Sequence, residues 1–217
     1  MPEIIFFDLD DTLYPRKSGI MHLMGLNIAR WVVEKLGIPE SEAQNTRKRW
    51  RDTYGTALRG MIEENYDFDK DEFFNYVHDL PLDLIAPNPQ IKRMIKSFPM
   101  RKAVLTNSNI EHARRVLKHI DLADCFEMVI DIKALQYINK PWPEAYERAL
   151  IMMGGVAPHK AILVEDSPAN TRTAKALGIT TILVDCPTSE DAHYFVNDLI
   201  EVEQVISKLK ETCNSTL

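Results

Sequence analysis

The sequence predicts an α/β fold: a parallel sheet wrapped by helices, with a small all-helical segment inserted after the first strand. Three observations predict it. Short apolar runs alternate with helical patterns through the C-terminal two-thirds of the chain, several of those runs end in polar or acidic residues, and residues 15–86 show helical spacing with no strand signal. Strands separated by helices of this length pair in parallel with right-handed crossovers. Such sheets bind ligands at the carboxyl ends of their strands.

Taken in order, Ile4-Ile5-Phe6-Phe7 is a buried strand that runs into Asp8-Leu9-Asp10-Asp11-Thr12. Four helices are then expected. Residues 21–36 place Leu23, Leu26, Ile28, Trp31, Val32 and Leu36 at roughly helical spacing and stop at Gly37, and shorter helices follow over 41–52, 56–65 and 69–80. Pro81, Pro87 and Pro89 mark the return to the sheet. Further strands are predicted over 102–105 (ending at Thr106-Asn107), 126–130, 160–164 (ending at Glu165-Asp166) and 180–184 (ending at Asp185). Helices over 109–120, 143–153 and 169–177 separate them, with Pro143 and Pro168 at first-turn positions and Gly178 as a stop. The polar residues after Lys210 are expected to be a disordered tail. The division that follows is a core of residues 1–14 and 87–217 and a helical segment of 15–86 that lies over the sheet's carboxyl edge.

The chain has 217 residues, 45 % hydrophobic and 27 % charged, which suits one sizeable core with a small second lobe. A formal net charge of −6 argues against a nucleic-acid backbone as partner, while a few local cations can still serve a small anionic ligand. Cys125, Cys186 and Cys213 form no zinc-like pattern and read as free thiols of a reducing compartment. The N-terminus enters a strand directly, and no apolar run approaches the ~18 residues that a membrane span needs. A cytoplasmic enzyme, working as a monomer or homodimer away from nucleic acid and membrane, is expected.

On an extended strand end, residues two apart point the same way, so Asp8 and Asp10 can face one site. Two nearby carboxylates stay ionised most easily beside a cation, and a hard oxygen-liganded ion such as Mg2+ suits a phosphate substrate. One carboxylate can then attack phosphorus while the other handles the leaving group's proton. Taken alone, the acids could equally cap a turn. Thr106 and Asn107, before a helix, can hold phosphate oxygens or merely cap that helix. Glu165-Asp166 pairs two carboxylates at a strand end, which is costly without a cation. Lys140, by itself, reads equally as a solvated surface lysine.

In this order, FFDLDDTLYP, AVLTNSN, KPWPEAY and ILVEDSPAN resemble the four motifs of the haloacid dehalogenase superfamily, over roughly residues 3 to 185. The resemblance implies a Rossmann-like core with a helical cap inserted after the first strand. It implies Asp8 as nucleophile, Asp10 as general acid/base, and Thr106 and Lys140 as binders of the transferring phosphoryl group. It also implies Mg2+ held by Asp8, the backbone carbonyl of Asp10 and Asp166, with Glu165 as a further direct or water-mediated ligand. The first acid of the fourth motif is Glu here where the family pattern has Asp.

A narrower likeness lies in YGTALRGM, YDFDKDEFFNYVHD and NSNIEHARRVLKHIDLADCFE, which resemble the pyrimidine 5′-nucleotidase branch of plants, fungi and bacteria. It implies a nucleoside monophosphate, a small phosphorylated metabolite, as candidate substrate. Within the helical segment, Tyr54, Thr56, Arg59 and His22 are candidate substrate contacts: Tyr54 by stacking on a planar base, Arg59 by meeting a second anionic group or a base carbonyl. Trp31 and Trp50 read as core, and His112, His119 and His159 show no ligand spacing.

Overall fold

The computed structural model describes residues 1–186 and 190–214, the side chains of 212–214 excepted. Among the described residues the sheet has six strands: β1 (Ile4–Phe7), β2 (Arg101–Leu105), β3 (Met128–Ile130), β4 (Ala161–Glu165), β5 (Thr180–Val184) and β6 (Tyr194–Val196). Their spatial order is β3-β2-β1-β4-β5-β6, and every pair is parallel. The first strand is therefore central, with Phe7 opposite Val104 on one side and Val164 on the other. The carboxyl ends of β1, β2 and β4 consequently open onto one edge of the sheet.

The period-two alternation of strands sorts the apolar residues onto two faces. Ile5, Phe7, Val104, Ile162, Val164 and Ile182 pack into one cluster. It is covered by α5 (Pro89–Ser97), α6 (Ile110–His119) and α9 (Val202–Asn214). Ile4, Phe6, Ala103, Leu105, Ile130 and Leu163 pack into the other, beneath α7 (Pro143–Met152) and α8 (Pro168–Ala176).

Between β1 and β2 lie α1 (Ile20–Leu36), α2 (Glu40–Tyr54), α3 (Ala57–Glu63) and α4 (Lys70–Val77). These helices build a third apolar cluster around Trp31, Trp50, Met61, Phe73 and Phe74. Trp31 and Trp50 are fully buried, as expected of core residues. Gly60 lets α3 approach α2, because a Cβ at that position would lie 2.2 Å from the Trp50 side chain.

Three elements differ from expectation. Pro89 opens α5 as a first-turn proline, with Asn88 capping it through Gln90 N–H; the proline run had hidden this helix. β6 has only three residues and sits on the sheet edge, too short for a periodic signal. The expected tail after Lys210 is helical to Asn214 as part of α9; residues 215–217 lie outside the described residues. Cys125 is buried, and the side chain of Cys213 lies outside the described residues. Among the described residues no helix is long and apolar enough to cross a membrane.

Gly60→Ala overpacks the Trp50 contact. It should lower stability by about 1–3 kcal/mol, read as a drop in the denaturation midpoint at unchanged m-value.

Candidate active site

At the end of β1 the chain turns sharply. Asp11 takes a positive φ of 60°, and Leu13 N–H bonds back to Leu9 C=O at 2.9 Å. This turn sends the Asp8 and Asp10 side chains to different partners. Asp8 Oδ1 accepts from Lys140 Nζ at 2.7 Å, and Asp8 Oδ2 accepts from the Thr12 hydroxyl at 3.2 Å. Lys140 Nζ also donates to Glu165 Oε2 at 2.6 Å. The ammonium is almost wholly buried, so the reading of Lys140 as a solvated surface lysine is excluded.

The loop carrying Lys140 is clamped. Its backbone N–H donates to Asn107 Oδ1 at 2.8 Å, and Asn107 Nδ2 donates to its C=O at 3.0 Å. The Asn107 side chain is thus committed to holding this loop. Asn139 Nδ2 and Trp142 Nε1 each donate to Tyr54 C=O at 3.1 Å, which ties the same loop to the end of α2. Gly55 makes that approach possible: with φ at +88°, a Cβ there would lie 2.5 Å from Asn139 Nδ2.

Asp8, Glu165 and Asp166 each offer a carboxylate oxygen, all within 4.8 Å of one another. Burial pushes the Asp8 carboxyl up to about 7, with the Glu165 charge adding to it and Lys140 opposing. Burial likewise raises Glu165 to about 7 against the pull of Lys140, and raises Asp166 to about 6 with help from the Asp8 charge. The Lys140 ammonium is disfavoured by burial, but Asp8 and Glu165 outweigh this and raise it above the ordinary lysine value. Two buried carboxylates thus share one buried ammonium, with the partly buried Asp166 alongside. Arg16 reaches Asp166 Oδ2 at 2.7 Å, but its half-exposed side chain makes this a weak, screened contact. An excess of hard oxygen donors in a small buried volume is the donor set that a divalent cation such as Mg2+ takes.

Asp10 stands apart from that group. Oδ1 accepts from the Tyr14 hydroxyl at 2.7 Å and meets His112 Nε2 at 2.8 Å, while Oδ2 accepts from the Ser108 hydroxyl at 2.7 Å. Burial alone would raise this carboxyl, but His112, Ser108 and Tyr14 together hold it well below the usual carboxylate range. Sequence reasoning missed all three of these partners. Tyr14 and Ser108 lie inside the strings that carry the resemblance, and His112 falls one helical turn after Ser108, on the face of α6 that turns inward.

Thr106 is buried at the end of β2, where its hydroxyl oxygen accepts from Ser108 N–H at 3.0 Å and, among the described residues, its own hydrogen has no acceptor. A cleft of about 870 Å³ opens above these groups, between the strand ends and α1–α4. Asp8, Asp10, Thr106, Asn107, Glu165 and Asp166 line its floor, and Tyr54 and Thr56 line its wall. The Thr56 hydroxyl also caps α3 by accepting from Arg59 N–H. Arg59 does not join the lining; it pairs with Glu63 at 2.5 Å and lies over the Trp142 ring. His22 is exposed on α1. Arg16, Arg47 and Arg51, which sequence reasoning did not single out, line the wall along with Met24, Phe73 and Phe74.

Comparison with known proteins agrees with this geometry. The family model described as haloacid dehalogenase-like hydrolase matches residues 2–178. Phosphate metabolism protein 8 of Saccharomyces cerevisiae is 25 % identical over 195 residues; the alignment takes in 83 % of this chain, which spans only 61 % of that protein's length. A phosphoglycolate phosphatase of Aquifex aeolicus is 24 % identical over 185 residues, 83 % of each chain. Among solved structures, the β-phosphoglucomutase of Clostridium difficile shares the fold with a TM-score of 0.66 at 20 % identity, covering 98 % of this chain and 99 % of that one. With the family model spanning most of its length, the chain belongs to the haloacid dehalogenase-like hydrolases.

Proposed function

We propose that this protein is a magnesium-dependent phosphomonoester hydrolase that works through a phosphorylated Asp8 and accepts nucleoside 5′-monophosphates. The observation that carries the reading is the buried Lys140 ammonium between Asp8 and Glu165, with Asp166 alongside and Asp10 held separately. The phosphatase names of several relatives support the reaction class.

Asp8 attacks phosphorus in line, so a carboxylate oxygen–phosphorus bond forms as the bond to the leaving oxygen breaks. Asp10, protonated for this step, gives its proton to the departing oxygen; it then takes a proton from the water that hydrolyses the acyl phosphate. Lys140 stays beside Asp8 and balances charge on the phosphoryl oxygens, and the free Thr106 hydroxyl hydrogen adds a bond to one of them. Mg2+, held by Asp8, Asp166 and the backbone of Asp10 with Glu165 close by, would supply further positive charge to the phosphoryl group. Residues 15–86 act as a cap that excludes water and selects the leaving group.

The size of the cleft favours a nucleoside over a two-carbon leaving group. At about 870 Å³ it lies in the upper range of small-molecule sites, and glycolate would leave most of it to water. Tyr54, Phe73 and Phe74 offer aromatic surface for a base, and Arg47 and Arg51 offer donors for its carbonyl edge. A sugar phosphate or phosphoglycolate is the second reading, favoured by the names of the relatives.

A phosphate-release screen across UMP, CMP, AMP, sugar phosphates and phosphoglycolate, with and without Mg2+, tests both levels of the proposal. Turnover should require Mg2+, vanish in Asp8→Asn and fall on the order of 10² or more in Lys140→Ala. Clear preference for a non-nucleotide would sink the nucleotide assignment and spare the hydrolase.

The raised carboxyls predict a second behaviour. In the metal-free fold, Asp8 and Glu165 titrate near 7 and Asp166 near 6, above their ordinary values of 3.8 and 4.5. The folded state therefore binds more protons than the unfolded chain between about pH 4 and 7. The stability these groups contribute is full below their unfolded values and is lost as pH rises through 6–7. Mg2+ needs the deprotonated carboxylates, so its addition should raise Tm more at pH 7.5 than at pH 5.5. Equal shifts at both pH values in thermal melts would contradict this metal site.

A further inference from the structure

Both oxygens of Asp10 are held by other side chains. Among the described residues, its two oxygens meet three: the Tyr14 hydroxyl, the Ser108 hydroxyl and His112 Nε2, at 2.7, 2.7 and 2.8 Å. They come from the turn after β1, the loop after β2 and the first turn of α6. Removing His112 would leave Oδ1 held only by the Tyr14 hydroxyl.

His112 has no evident structural reason to be histidine. Its side chain is fully buried, and its other ring nitrogen, Nδ1, has no hydrogen-bond partner among the described residues. Burying a polar atom without a partner costs free energy that a leucine of similar volume would not. The ring's polar contact is with Asp10. Its plane is set by His78, which stacks on it with ring centres 4.2 Å apart and planes 20° apart. His78 is itself fixed: its Nδ1 lies 2.9 Å from Asn109 Oδ1, and its ring also stacks on Phe74 of α4 with centres 5.4 Å apart. Asn109 in turn caps α6 by accepting His112 N–H at 3.2 Å. His78 and Phe74 both line the cleft.

We propose that His112, clamped by His78, is a positioning residue that sets the direction in which Asp10 presents its carboxyl to the leaving group's oxygen. The inference rests on Asp10 acting as the acid in the hydrolase reading above. It extends the site by a two-imidazole stack that runs from the strand ends to the wall of the cleft. As the bond from phosphorus to the leaving oxygen breaks, the Asp10 proton moves to that oxygen. His112 touches neither atom and acts only through the carboxyl it holds.

Leaving-group dependence separates this role from general support of the fold. p-Nitrophenolate departs without a proton, whereas the 5′-alkoxide of UMP needs one. Since kcat/KM reports the steps up to first product release, the full chain with Mg2+ is assayed on both substrates. In His112→Leu, kcat/KM for UMP should fall about 10- to 100-fold, part of what a positioned general acid contributes, while that for p-nitrophenyl phosphate should stay within about threefold. His112→Gln, whose amide nitrogen reaches the place of Nε2, should recover most of the loss. Should His112→Leu fold poorly, His112→Asn takes its place; its shorter amide falls short of Asp10, and the same split is expected. Equal losses on both substrates, or no loss on either, would overturn the positioning role. Turnover absent in the unsubstituted protein would overturn the hydrolase reading along with it.

Discussion

The site is organised around one buried ammonium. Lys140 carries a positive charge into a volume that holds the carboxylates of Asp8, Glu165 and Asp166, and it touches the first two directly. Moving an ion out of water costs several kcal/mol, and such a group stays charged only where opposite charge surrounds it at close range. Removing either side of the pairing would strand the other. This constraint accounts for the clamping of the Lys140 loop, with Asn107 gripping its backbone from both sides. The loop is held firmly because a small drift of the ammonium would leave two buried carboxylates unbalanced.

The parallel sheet makes the convergence possible. β1 and β4 are hydrogen-bonded neighbours in register, Phe7 beside Val164, so Asp8 and Glu165 leave the sheet at the same level. Glu165 then serves two purposes with its two oxygens. Oε2 meets Lys140, and Oε1 accepts the N–H groups of Asp166 and Ser167 at 3.2 Å, shaping the turn into α8. A carboxylate committed in this way explains how Glu can stand at the first acidic position of the fourth motif. Its longer side chain reaches the ammonium while leaving Asp166 nearer the cleft.

Much of this was legible in the sequence, because strands of four or five apolar residues ending in acids leave a strong local signal. The helical segment was legible for the same reason, through its 3.6-residue spacing. What stayed hidden was the set of contacts made between elements distant in the chain. Ser108 and His112 meet Asp10 across about a hundred residues of sequence, and His78 reaches His112 from the end of α4. No periodicity marks such a meeting, and a buried histidine on a helix looks like any other inward-facing residue. Asn107 read as a phosphate contact because Thr-Asn before a helix suggests one, whereas its side chain grips the loop of Lys140. Arg59 read as a ligand contact, whereas an acidic residue one turn along holds it away from the cleft.

The two carboxylates at the end of β1 illustrate how one short segment can supply two opposite electrostatic environments. Asp8 sits among other carboxylates and is pushed toward neutrality; Asp10, two residues away, sits among hydrogen-bond donors and is pulled toward ionisation. The turn at Asp11 creates this difference by directing the two side chains to separate neighbours. A nucleophile needs to be ionised when substrate arrives, and an acid needs to hold a proton. Each residue's resting environment in the metal-free protein therefore opposes its proposed task. The remedy lies outside the pair. A cation among Asp8, Glu165 and Asp166 would favour their ionised forms, and a dianionic phosphate entering the cleft would favour a proton on Asp10. Metal and substrate would then each push one of the two carboxyls toward the form its proposed task needs.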